Sequence, residues 1–362
     1  MIPLSHIQPL LDAEAELTHG SSSGSPIVLS TRIRLARNLQ DMPFPGWANE
    51  SQRRDILTRC REAVIALPKM KEGYIFEMKE LSELERQVLV ERHLISRELS
   101  SAKAGAAVVI SKDQSCSFMI NEEDHLRLQI MKTGFQFKRI WKTTDALDTA
   151  LEDRIEMAFS SDLGYLTACP TNVGTGLRAS IMMHLPGLVI SGQMEQVIRG
   201  INHLGMTVRG LFGEGSDASG SIFQISNQQT LGETEEDIIA RLDKVLHKIV
   251  LQEKNARARL IEASRLKLID KIGRAFGSLR HGYLINSSEA MNFLSLIRLA
   301  VDLNLLPPEY RTHVDRLFIL SQPGHVQIAG RDALDSNQRD ALRAAILREH
   351  FASLPPLDFD KL

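Results

Sequence analysis

Arg32 and Arg34 alternate with Ile33 and Leu35 in the stretch VLSTRIRL. On an extended strand, this alternation puts both guanidinium groups on one face and both aliphatic side chains on the other. Arg127, Arg178 and Arg209 fall in or beside three further strand–loop segments. Guanidinium forks match phosphate oxygens bidentately and keep their charge. Several of them converging could hold a triphosphate without a phosphate-binding loop. Taken singly, each also fits a solvated strand or helix residue.

A second cluster, Asn121-Glu122-Glu123-Asp124-His125, directly follows the apolar Phe118, Met119 and Ile120. Neighbouring acids push one carboxyl pKa upward, so the end of that strand suits a proton acceptor or a cation site. It also suits a solvated acidic turn. Cys169-Pro170-Thr171-Asn172 ends a short strand beside a glycine-rich loop, where a thiolate near arginines can be activated and where a small core residue also fits. Cys60 lies on an apolar helical face, and Cys116 lies in a turn with no evident partner.

GxxxxGK[ST], HExxH and paired CxxC motifs are all absent. Gly174-Thr175-Gly176-Leu177-Arg178-Ala179 matches GxGxx(G/A) after a predicted strand, which makes a dinucleotide site a rival reading. That fingerprint normally opens a series of βαβ units, whereas here it sits mid-chain among hairpin-like strands.

The elements that must position these groups are legible in outline. Alternation predicts strands over 28–35, 164–168, 206–212 and 221–226, and a hairpin from 106–110 to 117–121. Helical spacing predicts helices over 51–67, 81–99, 145–159 and 192–204, the last closed by Gly205. From Thr234, with Asp237 as a capping partner, helical periodicity runs almost unbroken to Leu305. Shorter helices follow around 308–320 and 336–350. The SSSGSP run that closes residues 1–26 predicts a flexible N-terminal arm.

The chain has 362 residues and a formal net charge of −2, with 43% hydrophobic and 24% charged residues. This is room for two globular domains, and the charge balance argues against nucleic acid or anionic membrane as a general partner. No apolar run reaches about 18 residues, the length needed to span a bilayer. The first residues lack the basic start and apolar centre of a signal peptide. Three scattered cysteines are too few for a disulfide framework, so a reducing cytoplasm is expected. Charge is nevertheless uneven: residues 241–280 hold 11 Lys/Arg against 4 Asp/Glu. That run fits a solvated helical face or a docking surface.

Four segments taken together, STRIRLARN at 30–38, NEEDHLR at 121–127, CPTNVGTGLRAS at 169–180 and RGLFGEGSDASG at 209–220, resemble the ATP:guanidino phosphotransferases in order and spacing. The missing N-terminal helical domain of the metabolite kinases and the added helical C-terminal region resemble the bacterial protein-arginine kinase branch. So does RDALRA at 339–344, a motif which that branch uses to bind phosphoarginine.

The resemblance implies an α+β fold, an antiparallel β-sheet flanked by helices, with an all-α C-terminal domain. It implies a catalytic domain over 27–254 and a helical domain for dimerisation and phosphoarginine binding over 255–362. It further implies ATP with Mg2+, protein substrates, an activator protein, a Clp unfoldase or protease, and a homodimer. Arg32, Arg34, Arg127, Arg178 and Arg209 would hold the ATP phosphates. Ser30, Thr31, Ile33, His93, Ala179, Ser180, Ile181, Met182, Gly210, Leu211, Phe212, Gly213 and Glu214 would complete the nucleotide site. Glu123 matches the catalytic carboxylate with Glu122 beside it, and Cys169 matches a cysteine that contacts the substrate guanidinium. Glu214 or, since the loop is longer here, Asp217 would receive the substrate arginine. Arg339, Asp340, Arg343 and Ala344 would bind phosphoarginine.

Overall fold

The computed structural model describes residues 6–13, 16, 26–102, 104–210, 219–330 and 333–362. Its strands are β1 (Val28–Arg37), β2 (Tyr74–Glu77), β3 (Ala107–Ile110), β4 (Cys116–Ile120), β5 (Leu126–Thr133), β6 (Phe159–Ser160), β7 (Gly164–Tyr165), β8 (Leu177–His184), β9 (Met206–Gly210) and β10 (Ile222–Asn227). Among the described residues, eight strands form one antiparallel sheet in the order β2-β3-β4-β5-β1-β8-β10-β9, while β6 and β7 form a small ribbon.

Helices α1 (Gln8–Leu11), α2 (Glu50–Ile65), α3 (Glu83–Glu91), α4 (Arg97–Ser100), α5 (Phe137–Glu152), α6 (Pro186–Ile190) and α7 (Met194–His203) surround the sheet. Then come α8 (Glu235–His281), α9 (Ser287–Asp302), α10 (Tyr310–Leu320), α11 (Pro323–Ala329) and α12 (Ser336–Ala352).

Alternation divides the sheet into two chemically different faces. Ile33, Leu35, Leu128, Ile130, Leu177, Ala179, Ile181, Phe223 and Ile225 point to one side and are buried. There they meet α2, α5, α7 and the first half of α8, through Ile56, Ile140, Ile201 and Leu242 among others. The opposite face is covered only at its two flanks. Over β2–β4, Phe76, Val108 and Met119 pack with Ile7, Leu10, Val88 and Leu89. Over β8 and β10, Met182 and Ile222 pack into the helical core of α9, α10 and α12. The polar strip between these flanks is left open.

α8 passes from the sheet core to the helical core with non-helical backbone at Ser264 (φ −145°, ψ 29°). The position 254/255, expected to divide two domains, lies within this helix. Buried ions tie its middle to α6 and to α9. Glu253 accepts from the amides of Gly187 and Leu188, each at 2.9 Å, and Arg257 bridges Glu253 and Asp302 at 2.6 and 2.8 Å. Arg298 donates to Nδ1 of His184 on β8 at 3.2 Å, so Nε2 of that imidazole carries the proton and donates to Ser295 Oγ at 2.8 Å.

Three expectations need correction. Residues 7–10 of the expected free arm are docked, with Ile7 and Leu10 fully buried and the Leu10 carbonyl accepting from Arg92. The helix expected over 81–99 breaks after Glu91, because His93 takes a left-handed backbone (φ 57°) and Ser96 caps a new turn. The apolar spacing hid this break because Leu94 and Ile95 in the turn are themselves buried. The helix expected over 145–159 begins at Phe137 and ends at Glu152.

Beneath the sheet, Arg37 (2% exposed) pairs with Asp148, donates to the carbonyls of Ala36 and Thr175, and lies 3.5 Å from the Tyr165 ring centroid. Removing the partner of a buried ion is more costly than the pair's own net contribution. We therefore expect Asp148→Ala to lower unfolding stability by about 3 kcal/mol or more, read from the urea midpoint.

Candidate functional site

The open strip is the floor of a cleft of about 910 Å³ lined by Arg32, Arg34, Arg127, Arg178, Arg209, Glu122, Glu123 and Cys169. Strand register brings the arginines together. Arg34 on β1 faces Arg178 on β8, Arg32 faces Ser180, and Arg209 on β9 faces Gln224 on β10. Arg32 donates to Ser180 Oγ at 3.3 Å and to Gln224 Oε1, and Arg178 donates to Ser226 Oγ at 3.2 Å. These partners are neutral. Among the described residues, no carboxylate lies within ion-pair distance of Arg32, Arg34 or Arg178, and the Nε groups of Arg34 and Arg178 have no acceptor.

Electrostatics register the crowding. Burial, then Arg178 and Arg127, lower the Arg32 pKa to about 10. Burial, then Arg32, Arg127 and Arg178, hold Arg34 well below the usual guanidinium range. Burial, Arg209 and Arg127 lower Arg178. His93 stands near Arg32, and burial followed by that charge pushes its pKa down to about 3, so the ring is neutral at working pH.

The acids stand across the floor. Arg127 forks between Glu122 at 2.7 Å and Glu123 at 2.9 Å. The Glu122 carboxylate is fully buried and accepts from Ser96 Oγ, whereas Glu123 is 43% exposed and faces the cleft. The rest of the run is scaffolding. Asn121, in the left-handed region at φ 55°, donates to the carbonyls of Arg53 and Gly105. Asp124 accepts from Asn38 and from the Ala168 amide, both at 2.7 Å. His125 accepts from the Leu39 amide on Nδ1 and donates from Nε2 to the Pro43 carbonyl. The raised carboxyl is thus Asp124, lifted by burial, and it lies behind the cleft. Cys169 Sγ sits 3.1 Å from Thr171 Oγ1 on the cleft wall.

Several sequence expectations land elsewhere. Thr31, Ile33, Ala179 and Ile181 send their side chains through the sheet, and Thr31 Oγ1 donates to the Gly134 carbonyl. Ser30 and Met182 share the polar face but are buried at its flank. Gly210 lines the cleft, while Leu211, Phe212, Gly213, Glu214 and Asp217 lie outside the described residues. In the helical region, Arg343 is 2% exposed and spends its donors on Ser321 O, Ile285 O and Asp340. Ala344 is core, and Arg339 donates to Leu334 O, so of the four residues expected to bind phosphoarginine only Arg339 and Asp340 stand partly open.

The dinucleotide rival fails on geometry. Gly174-Thr175-Gly176 leads into strand β8, with no helix N-terminus to receive a pyrophosphate. Its glycines allow close packing instead: a Cβ on Gly176 (φ 66°) would stand 2.6 Å from the Ala36 carbonyl. Arg53, Ser96, Arg97 and Gln224 also line the cleft, and the sequence reading missed them. Gln224 could have been found by strand alternation with Ser226, and Ser96 by its helix-capping position.

A family model described as ATP:guanido phosphotransferase, C-terminal catalytic domain, matches residues 55–256, and one for the protein-arginine kinase McsB C-terminal domain matches 265–362. A protein-arginine kinase of Symbiobacterium thermophilum is 43% identical over 347 residues, covering 94% of this chain and 98% of that one. Another, from Halothermothrix orenii, is 42% identical over 335 residues, covering 92% and 96%. The chain belongs to the protein-arginine kinase family. Among solved structures, a lombricine kinase shares the fold at a TM-score of 0.57 and 23% identity, over 68% of this chain and 72% of that one. In this kinase, no described helix is long and apolar enough to cross a membrane.

The raised Asp124 pKa has a signed consequence. Between the ordinary carboxyl value and the raised one, the native state binds the proton and the unfolded chain does not, so stability falls as pH rises through this window. Asp124→Asn removes that slope. The stability of the wild type relative to the variant, from urea midpoints at pH about 4 to about 7, should improve as pH falls.

Proposed function

We propose that this protein transfers the γ-phosphoryl group of ATP to arginine side chains of proteins. The observation that carries this reading is one cleft whose floor gathers five arginines, of which Arg32, Arg34 and Arg178 have no carboxylate within ion-pair distance among the described residues, beside the Glu122–Glu123 pair. Arg32, Arg34, Arg127, Arg178 and Arg209 hold the triphosphate and offset charge on the group in transfer. A guanidinium has a pKa above about 12, so it must lose a proton as the N–P bond forms. Glu123, solvent-facing and fixed by Arg127, clamps the acceptor and takes that proton, while buried Glu122 holds the pair in place. Orienting one nitrogen in line with the phosphorus lowers the barrier by several kcal/mol. Cys169 polarises the cation, and the resemblance gives Glu214 or Asp217 as the acid that receives it.

Among the described residues, no group of three His, Cys, Asp or Glu side chains forms a cation cage. Of the three acids that line the cleft, Glu122 and Glu123 are committed to Arg127, and Glu98 stands apart on α4. Mg2+ therefore belongs to the phosphates and water of the incoming nucleotide.

The finer assignments rest on the resemblance of the motifs and of the helical region. Residues 27–254 catalyse, and 255–362 dimerise and hold phosphoarginine through Arg339 and Asp340. The protein works in the cytoplasm with an activator, and its product marks substrates for a Clp unfoldase.

Incubation with ATP, casein and free arginine tests the reading. Acid-labile phosphate should appear on casein and not on free arginine. Glu123→Gln should abolish the label while ATP affinity stays within about twofold. Label on free arginine alone, or full turnover by the variant, would contradict it.

A further inference from the structure

A second cavity, of about 740 Å³, lies where α3 and α4 face the starts of α9 and α11. Its walls include Arg86, Gln87, Ser100, Ser288 and Gln322. Arg97 and Ser101 line both this groove and the catalytic cleft, so the two spaces meet at the start of α4. The junction across the groove is firmly built. Glu91 accepts from the amides of Gly324 and His325 at 2.7 and 3.2 Å and from His325 Nδ1 at 2.7 Å. His325 Nε2 then accepts from Arg92 at 3.3 Å.

An acceptor arginine within a protein carries chain on both sides of it. With its guanidinium against Glu123, that chain must leave the cleft over its edge. Ser96, bonded to Glu122, is the cap of α4, and Arg97 follows it directly. Among the described residues, the exposed Arg97 side chain has no hydrogen-bond or ion-pair partner. The groove beyond it is lined by hydroxyls and amides suited to an extended backbone. Of its four charged groups, Glu91 is already engaged by His325 and two amides, Arg86 leans on the Ser100 carbonyl and Glu83 is an exposed acid on α3, so among the described residues Arg97, at the joint with the cleft, is the cation left to answer an incoming acid.

We propose that this groove seats the polypeptide flanking the acceptor arginine and that Arg97 pairs with an acidic side chain next to it. Arg97 is thus a specificity residue for protein substrates, a role that rests on the kinase reading above. Continuity with the cleft and the unpaired charge at the joint carry the assignment.

The test uses the full chain with peptides containing one arginine flanked by aspartates, glycines or lysines, measuring KM for peptide and for ATP. An exposed ion pair corresponds to about a fivefold preference, so the aspartate peptide should have a KM about fivefold below the lysine peptide. Arg97→Glu should reverse that order, read as the ratio of the aspartate-peptide to the lysine-peptide KM within the variant. Ser288→Trp, which narrows the groove from its exposed helical wall, should raise KM for all three peptides severalfold. The same peptide order in wild type and Arg97→Glu, or unaltered peptide KM in Ser288→Trp, overturns the proposal. Absence of label on every peptide with wild type removes the kinase reading, and the groove's role with it.

Discussion

Repulsion among buried arginines is the constraint on which the rest of this structure turns. Arg32, Arg34 and Arg178 stand on adjacent central strands with only neutral partners among the described residues, and each is pushed below its ordinary pKa by burial and by its neighbours. A fold does not gain stability from such a cluster, because desolvated like charges oppose each other without compensation. The cluster makes physical sense as half of an interaction whose other half is a polyanion.

Everything beneath the cluster serves to hold it. The apolar face of the same strands buries against four helices, and this supplies the stabilisation that the polar face lacks. Arg37, three residues beyond Arg34 on β1, turns the opposite way into a complete site with Asp148, two carbonyls and an aromatic ring. Arg37 is fully satisfied, whereas Arg34 keeps its Nε without an acceptor among the described residues, a contrast that supports the proposed phosphate-holding role for Arg34. At the far end of β8, His184 is locked to Ser295 and Arg298, so the strand that carries Arg178 is anchored directly in the helical region.

Much of this was legible in the sequence. The period of two in RIRL placed the guanidinium groups and the aliphatic side chains on opposite faces, and the register of β1 and β8 confirms that placement. The same rule shows why Ile33, Ala179 and Ile181 do not reach the cleft: a motif is a run of residues, but only alternate side chains share a face. The acidic run was read as a unit, yet tertiary context split it into two cleft acids and a buried anchor at Asp124. Burial of Arg343 was not legible either. Spacing of i, i+4 places two arginines on one helix face, but whether that face meets solvent or core depends on long-range packing.

The most direct measurement of the central claim is thermal and urea stability with ATP, inorganic tripolyphosphate and adenosine at matched concentrations. If the arginine floor is a polyanion site, ATP at a hundredfold excess over its Kd should stabilise the native state by about 2.7 kcal/mol. Tripolyphosphate should reproduce a large share of that gain, and adenosine little. Equal stabilisation by adenosine and ATP, or none by tripolyphosphate, would contradict the account.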